Sequence, residues 1–367
     1  MAAEAKIPVW LDCDPGHQDT FAILLSAYHP SLSLLGISTV HGNSSLSHTT
    51  YNATSILTAI GAPHIPVYPG ASSGLTRPAV HADAIHGASG LDGTALLPVP
   101  AVPHLEEPAI DAMAAALLST PKDTAWLIAT GALTNIAHLF TSYPEVASHI
   151  RGLSIMGGSI GNHFTAAPLG KVDAKERIGN WSQWAEFNIL VDPEAADFLF
   201  QHPVLNKKTT LIPLDVTHLV LATKNVQALL LDGKDGKQRT TLRVMLVELL
   251  TFFAKTYAEV FGITEGPPLH DPLAVAAVLD GFTGVQIPFR DFEHKGERER
   301  YAVRVVTEGS HGDAQAGAET GRTVVKLLPE GEEGVKIPRG LDISRFWSVL
   351  EDCLERADNV NKTKGAL

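Results

Sequence analysis

Two cysteines, Cys13 and Cys353, are all that the 367 residues contain. That is too few for a disulfide framework or a thiolate metal site, so a reducing compartment is expected. Long apolar runs are missing too, and no stretch approaches the roughly 20 residues that a membrane span needs. Residues 1–6 show no basic-then-apolar signal pattern, which makes a cytoplasmic protein the expectation. Clusters of Lys and Arg are lacking and the formal net charge is −12, which argues against a nucleic-acid partner. There is neither a Walker loop nor a clean dinucleotide fingerprint, and no internal repeat.

What the chain does have is 45% hydrophobic residues, ample for a sizeable core. Short apolar runs alternate with helical patterns. Residues 7–11, 32–40, 65–68, 124–129, 153–156 and 210–216 read as strands, and residues 20–27, 49–60, 109–118 and 193–200 as helices. Longer helices follow around 240–261 and 272–279, then a late strand pair at 301–306 and 323–327 around a Gly-rich loop, 308–321, expected to be a hairpin connection or partly mobile. A helix at 343–354 closes the chain. The alternation implies βαβ units, hence an α/β fold: one doubly wound, mostly parallel sheet flanked by helices. No Pro/Ser-rich linker divides it, so residues 1–358 are expected to form a single domain, with 359–367 a frayed tail.

Directly after the first strand stands Asp12-Cys13-Asp14-Pro15-Gly16-His17-Gln18-Asp19, which puts three carboxylates on one tight turn. Like charges gathered at a strand's carboxyl end need compensation, and a divalent metal is the simplest. Cys13 among them is read as a small buried filler rather than a nucleophile, since neighbouring carboxylates disfavour the thiolate. Other strand ends carry polar clusters: His41-Gly42-Asn43, Thr130 to Asn135, Met156-Gly157-Gly158 and Asp215 to His218. In this architecture they should converge on one rim, joined by residues 180–188 and Leu269-His270-Asp271-Pro272. Each signal has an ordinary reading as well. Gly42, Gly131 and Gly157 suit turns, Thr134 and Asn135 suit helix caps, and His270 suits a satisfied loop.

Together the motifs resemble the calcium-dependent nucleoside N-ribohydrolases, in particular the inosine-uridine-preferring branch. The resemblance rests on Asp12-Cys13-Asp14-Pro15-Gly16, Thr130-Gly131-Ala132-Leu133-Thr134-Asn135-Ile136-Ala137, Ala185-Glu186-Phe187-Asn188-Ile189 with Asp192-Pro193-Glu194, and Leu269-His270-Asp271-Pro272. It extends from about residue 7 to Phe346-Trp347 in the last helix. It implies a Rossmann-like hydrolase of the N-glycosidic bond, releasing ribose and a free base in purine and pyrimidine salvage. By this resemblance Asp14, Asp19, Asp271 and the Thr130 carbonyl bind Ca2+, with room left for water and sugar hydroxyls. Asp14 would also act as base toward the water. Gln18, Asn43, Asn180, Glu186 and Asn188 match groups that grip the ribose, while His86, Tyr257 and His270 fall around the leaving base, with His270 suited to supplying a proton or a contact. A small-molecule ribonucleoside is the implied partner, and a homodimer or homotetramer the implied assembly.

Two departures stand out. Where the family has an aspartate before Asp19, this chain has Gln18, an amide that still accepts a hydrogen bond but is uncharged and one methylene longer. Residues 161–178 form an insert beside the expected pocket mouth, readable as a lid, an oligomer contact or a surface excursion. Two other readings remain open: a nucleoside-binding protein with weak or lost turnover because of Gln18, and, remotely, an aspartyl-phosphate phosphatase with Asp12 as nucleophile.

Overall fold

A computed structural model of the chain describes residues 6–172, 175–252, 254–293 and 298–364. Strands β1 (Ile7–Cys13), β2 (Leu32–Thr39), β3 (Val67–Pro69), β4 (Trp126–Ala129) and β5 (Gly152–Met156) join the strand Thr209–Ile212 in one six-stranded sheet. Its order is β3-β2-β1-β4-β5 and then Thr209–Ile212, and every pairing is parallel. The chain therefore walks outward from β1 to β3, then crosses back to lay β4 on the other side of β1. That reversal opens a crevice beyond the carboxyl ends of β1 and β4, where ligands sit in folds of this kind.

A parallel sheet covered on both faces needs apolar side chains pointing both ways. In β1, Val9, Leu11 and Cys13 enter one core and Trp10 the other, so successive residues serve opposite layers. The first core packs against helix α1 (Asp19–Tyr28), the helix Pro272–Ala277 and the last helix, Ile343–Lys364. The second packs against the helices Ala109–Leu118, Thr134–Ser142 and Pro193–Gln201. No helix among the described residues is long and apolar enough to cross a membrane.

Several expected boundaries shift for physical reasons. The strand expected over 210–216 stops at Ile212, because Pro213 has no N–H for the ladder, and Leu214–Thr217 turns into a short helix instead. The segment 308–321 is ordered: Ser310 and Asp313 form a capping box for the helix His311–Gln315, and Arg77 donates to the carbonyls of Thr307 and Gly309. The tail expected to fray from 359 continues as helix to Lys364, with Asn361 buried and donating to the Ala59 carbonyl at 2.8 Å. Residues 365–367 lie outside the described residues. The last helix is also tied down by Arg243, which is fully buried and paired with Glu351 at 2.9 Å and Asp358 at 2.6 Å.

Candidate active site

The turn after β1 delivers its carboxylates inward. Asp14 and Asp19 are fully buried and Asp271 is 6% exposed. Asp14 accepts the backbone N–H of Asn43 through Oδ2 at 2.7 Å, while its Oδ1 is buried with no hydrogen-bond partner among the described residues. Glycine is required on both sides. A Cβ on Gly42 would lie 2.0 Å from Asp14 Oδ2, and one on Gly131 2.7 Å from Oδ1. These glycines are therefore close-approach positions rather than mere turn formers.

Asp19 accepts from Gly16 N–H at 3.0 Å and from Thr130 Oγ1–H at 2.7 Å, and its charge acts on Asp271 nearby. Burial pushes Asp19 up to about 6 and raises Asp14 and Asp271 well above the ordinary carboxylate range, with the charge of Asp19 adding to both. Among the described residues, no three His, Cys, Asp or Glu side chains are arranged around a common point as a finished metal shell. The donor chemistry nonetheless fits a hard cation: carboxylate oxygens from Asp14, Asp19 and Asp271, the Thr130 carbonyl beside them, and one orphaned oxygen on Asp14.

Beside these carboxylates lies a cavity lined by Gln18, Asn43, Thr130, Asn180, Glu186 and Asn188 together with His86, Tyr257, His270 and Asp271. Ala82, Ile85, Met156 and Phe187 supply its apolar surface. All the residues expected to hold ribose and base are thus brought together. Glu186 accepts the N–H groups of Gly158, Asn188 and Ile189, which fixes it at the start of a helical turn. Asn188 Nδ2 donates to the Thr130 carbonyl at 2.8 Å, and Asn180 Oδ1 accepts the Phe187 N–H at 2.9 Å. Thr134 and Asn135 do not cap their helix. Thr134 donates to Asp192, while Asn135 donates to Asp12 Oδ1 and to the Thr39 carbonyl.

Asp12 is sealed. Its Oδ1 is held by Ser38 and Asn135, it has no exposed surface, and burial pushes it up to about 7, none of which suits a phosphate-attacking nucleophile. Burial likewise raises the Cys13 thiol well above its usual range, as a filler requires.

Imidazoles gather around the groups expected to take the base. His17 Nε2 lies 2.7 Å from the Asp92 carbonyl, which can only accept, so Nε2 carries the proton. Burial holds His17 down to about 4 and His86 down to about 3, so both rings are neutral near pH 7 and carry one proton each. It follows that His17 Nδ1 accepts from His86 Nδ1–H at 3.0 Å, which leaves the lone pair of His86 on Nε2. His270 is neutral too, lowered well below its usual value by burial, and is held between Tyr257 Oη at 2.6 Å and Thr217 Oγ1 at 2.6 Å. It therefore stands as an oriented hydrogen-bonding group rather than a resident acid. Thr217 and His17 were not singled out in the sequence. Their only signals were position: one in a polar strand end, the other between Gly16 and Gln18.

A doubly wound sheet whose switch-point crevice ends in buried carboxylates, amides and neutral imidazoles is the class of α/β protein that takes a small polar ligand at that crevice. Comparisons with known proteins give the family. Residues 9–348 match the profile described as inosine-uridine preferring nucleoside hydrolase. The chain is 36% identical to the uridine nucleosidase of Saccharomyces cerevisiae, covering 97% of this chain and 98% of that one. It is 37% identical to a pyrimidine-specific ribonucleoside hydrolase of a Shewanella species over 74% of this chain and 78% of the relative. Among solved structures it superposes on a purine-preferring ribonucleoside hydrolase from Gardnerella vaginalis with a TM-score of 0.75 and 27% identity, covering 96% of this chain and 99% of that one. The chain belongs to the inosine-uridine preferring nucleoside hydrolase family and is a hydrolase of the N-glycosidic bond of ribonucleosides.

Proposed function

We propose that the cavity cleaves ribonucleosides, uridine among them, to ribose and free base with a calcium ion held by Asp14, Asp19, Asp271 and the Thr130 carbonyl. The observation that carries this reading is Asp14 Oδ1, buried near Asp19 and Asp271 and without a partner among the described residues. When bound, such an ion makes a neighbouring water more acidic, so that a carboxylate can take its proton. Asp14 is the acceptor of that proton: its Oδ2 is anchored on Asn43, and Oδ1 is the oxygen left to work.

Glu186, Asn43, Asn180 and Asn188 orient the sugar by its hydroxyls, and the negative charge of Glu186 and Asp271 favours the positive character that develops at the anomeric carbon. His86, Tyr257 and His270 hold the base. With both His270 ring nitrogens engaged by Tyr257 and Thr217, His270 Nε2–H donating to Tyr257 Oη leaves the Tyr257 hydroxyl proton for the nitrogen as the bond breaks. The names of the yeast and Shewanella relatives support a pyrimidine nucleoside as substrate and hence a place in pyrimidine salvage. Two free, buried cysteines support a cytoplasmic setting, and a homodimer or homotetramer is proposed by family resemblance.

The test is incubation with uridine, cytidine, inosine and adenosine, with and without chelator, followed by chromatography of the bases. Release from uridine that chelator abolishes is expected. Binding without release from any of them makes the protein a nucleoside binder instead.

A further inference from the structure

Gln18 is 6% exposed, lies in the cavity wall, and its two ends do different things. Its Oε1 accepts the backbone N–H of His270. A backbone N–H needs an acceptor and the amide has only one, so this contact fixes which end of the amide faces which way. The oxygen is turned toward the loop that carries His270 and Asp271. What remains is Nε2, which donates and has no lone pair to offer. Among the described residues it has no hydrogen-bond partner, yet it is not one of the polar atoms sealed inside the protein. A side chain in the cavity wall, at the position expected to meet the sugar, thus has its acceptor already in use.

We infer that Gln18 is a specificity-determining residue that meets one sugar hydroxyl with an N–H donor, and that the enzyme therefore tolerates nucleosides lacking that hydroxyl. The inference rests on the ribonucleoside-hydrolase reading of the site. An acidic side chain here would take a charge-assisted hydrogen bond from the hydroxyl, and a deoxy sugar would leave a buried charge unpaired. An uncharged N–H loses a weaker bond and can be met by a water molecule. A hydroxyl whose oxygen accepts from Gln18 also keeps its own proton for a neighbouring carboxylate. The same amide braces the His270 loop, so reach matters as well as polarity. Glutamate keeps the reach and an oxygen for the His270 N–H, but exchanges the donor for a charged acceptor.

The experiment compares kcat/KM for uridine, 2′-deoxyuridine and 3′-deoxyuridine in the wild type and in Gln18→Glu. In the wild type at least one deoxy substrate is expected to fall within about tenfold of uridine, and Gln18→Glu is expected to widen that ratio by about tenfold or more. Should Gln18→Glu fold poorly or lack turnover, the wild type decides alone through inhibition by ribose, 2-deoxyribose and 3-deoxyribose. One deoxy sugar within about tenfold of ribose supports the inference, and both weaker by more than about a hundredfold overturn it. Active enzymes whose ratios do not differ between wild type and Gln18→Glu also overturn it while leaving the hydrolase reading intact. A wild type that releases no base from any ribonucleoside removes both.

Discussion

The two oxygens of Asp14 stand differently toward Asn43: Oδ2 is fixed on the Asn43 N–H at 2.7 Å, and Oδ1 is buried without a partner among the described residues. An amide in place of the carboxylate can keep the first contact through its oxygen but cannot take a proton near neutral pH. Asp14→Asn is therefore expected to lower kcat by about 10²–10⁴-fold, the range for a lost general base. Its melting temperature without added metal should hold or rise, because a buried charge is removed. Near-normal turnover would take Asp14 out of the mechanism.

Thr217 is bonded through Oγ1 to His270 Nδ1 at 2.6 Å and does not line the cavity itself, so any effect on the reaction is expected to pass through His270. Thr217→Val keeps the shape and removes the hydroxyl. The ring then loses one of its two anchors, and kcat for uridine should fall roughly 10–100-fold, as for other groups that orient a working side chain, with little change in KM. A loss confined to KM would assign Thr217 to binding instead.

His218 is buried against His270 and Tyr257, with Nδ1 2.7 Å from the Pro168 carbonyl, and burial pushes it down to about 4. Unfolded, the imidazole takes up a proton near 6.5; folded, it waits until about 4. The stability this neutral ring contributes is thus whole above pH 6.5 and is lost as pH falls toward 4. Melting temperatures at pH 7 and 4.5 should drop further for the wild type than for His218→Phe. Equal drops would contradict the assignment.

Arg243 holds Glu351 and Asp358 of the last helix while fully buried. Arg243→Ala leaves two buried carboxylates without their partner, and a loss of about 3–5 kcal/mol in denaturant unfolding is expected. A change under 1 kcal/mol would mean that water or rearrangement replaces the guanidinium.

Much of this was legible in the chain. Periodicity located the acidic turn and the polar strand ends at element boundaries, while the roles expected of Asp14, Asp19, Thr130, Asp271 and the cavity amides came from the resemblance of the ordered motifs to the family. Contacts across the fold were not legible. Nothing local to Thr217 says that it faces His270, and nothing in Gln18 says that its oxygen is spent on a backbone N–H far along the chain. Asn361 looks like a polar tail residue until the last helix lays it against the Ala59 carbonyl. Pro213, by contrast, announces the end of its strand to anyone who asks where the missing N–H would go.

If the buried carboxylates gather one hard cation that readies water for the sugar, cleavage must depend on that cation. The most direct measurement is uridine cleavage by chelator-stripped protein as calcium is returned. Activity should be at background in the stripped protein and recover along a saturable single-site curve, with Asp271→Asn shifting that curve to higher calcium. Undiminished cleavage in the stripped protein, with no response to added calcium, would contradict it.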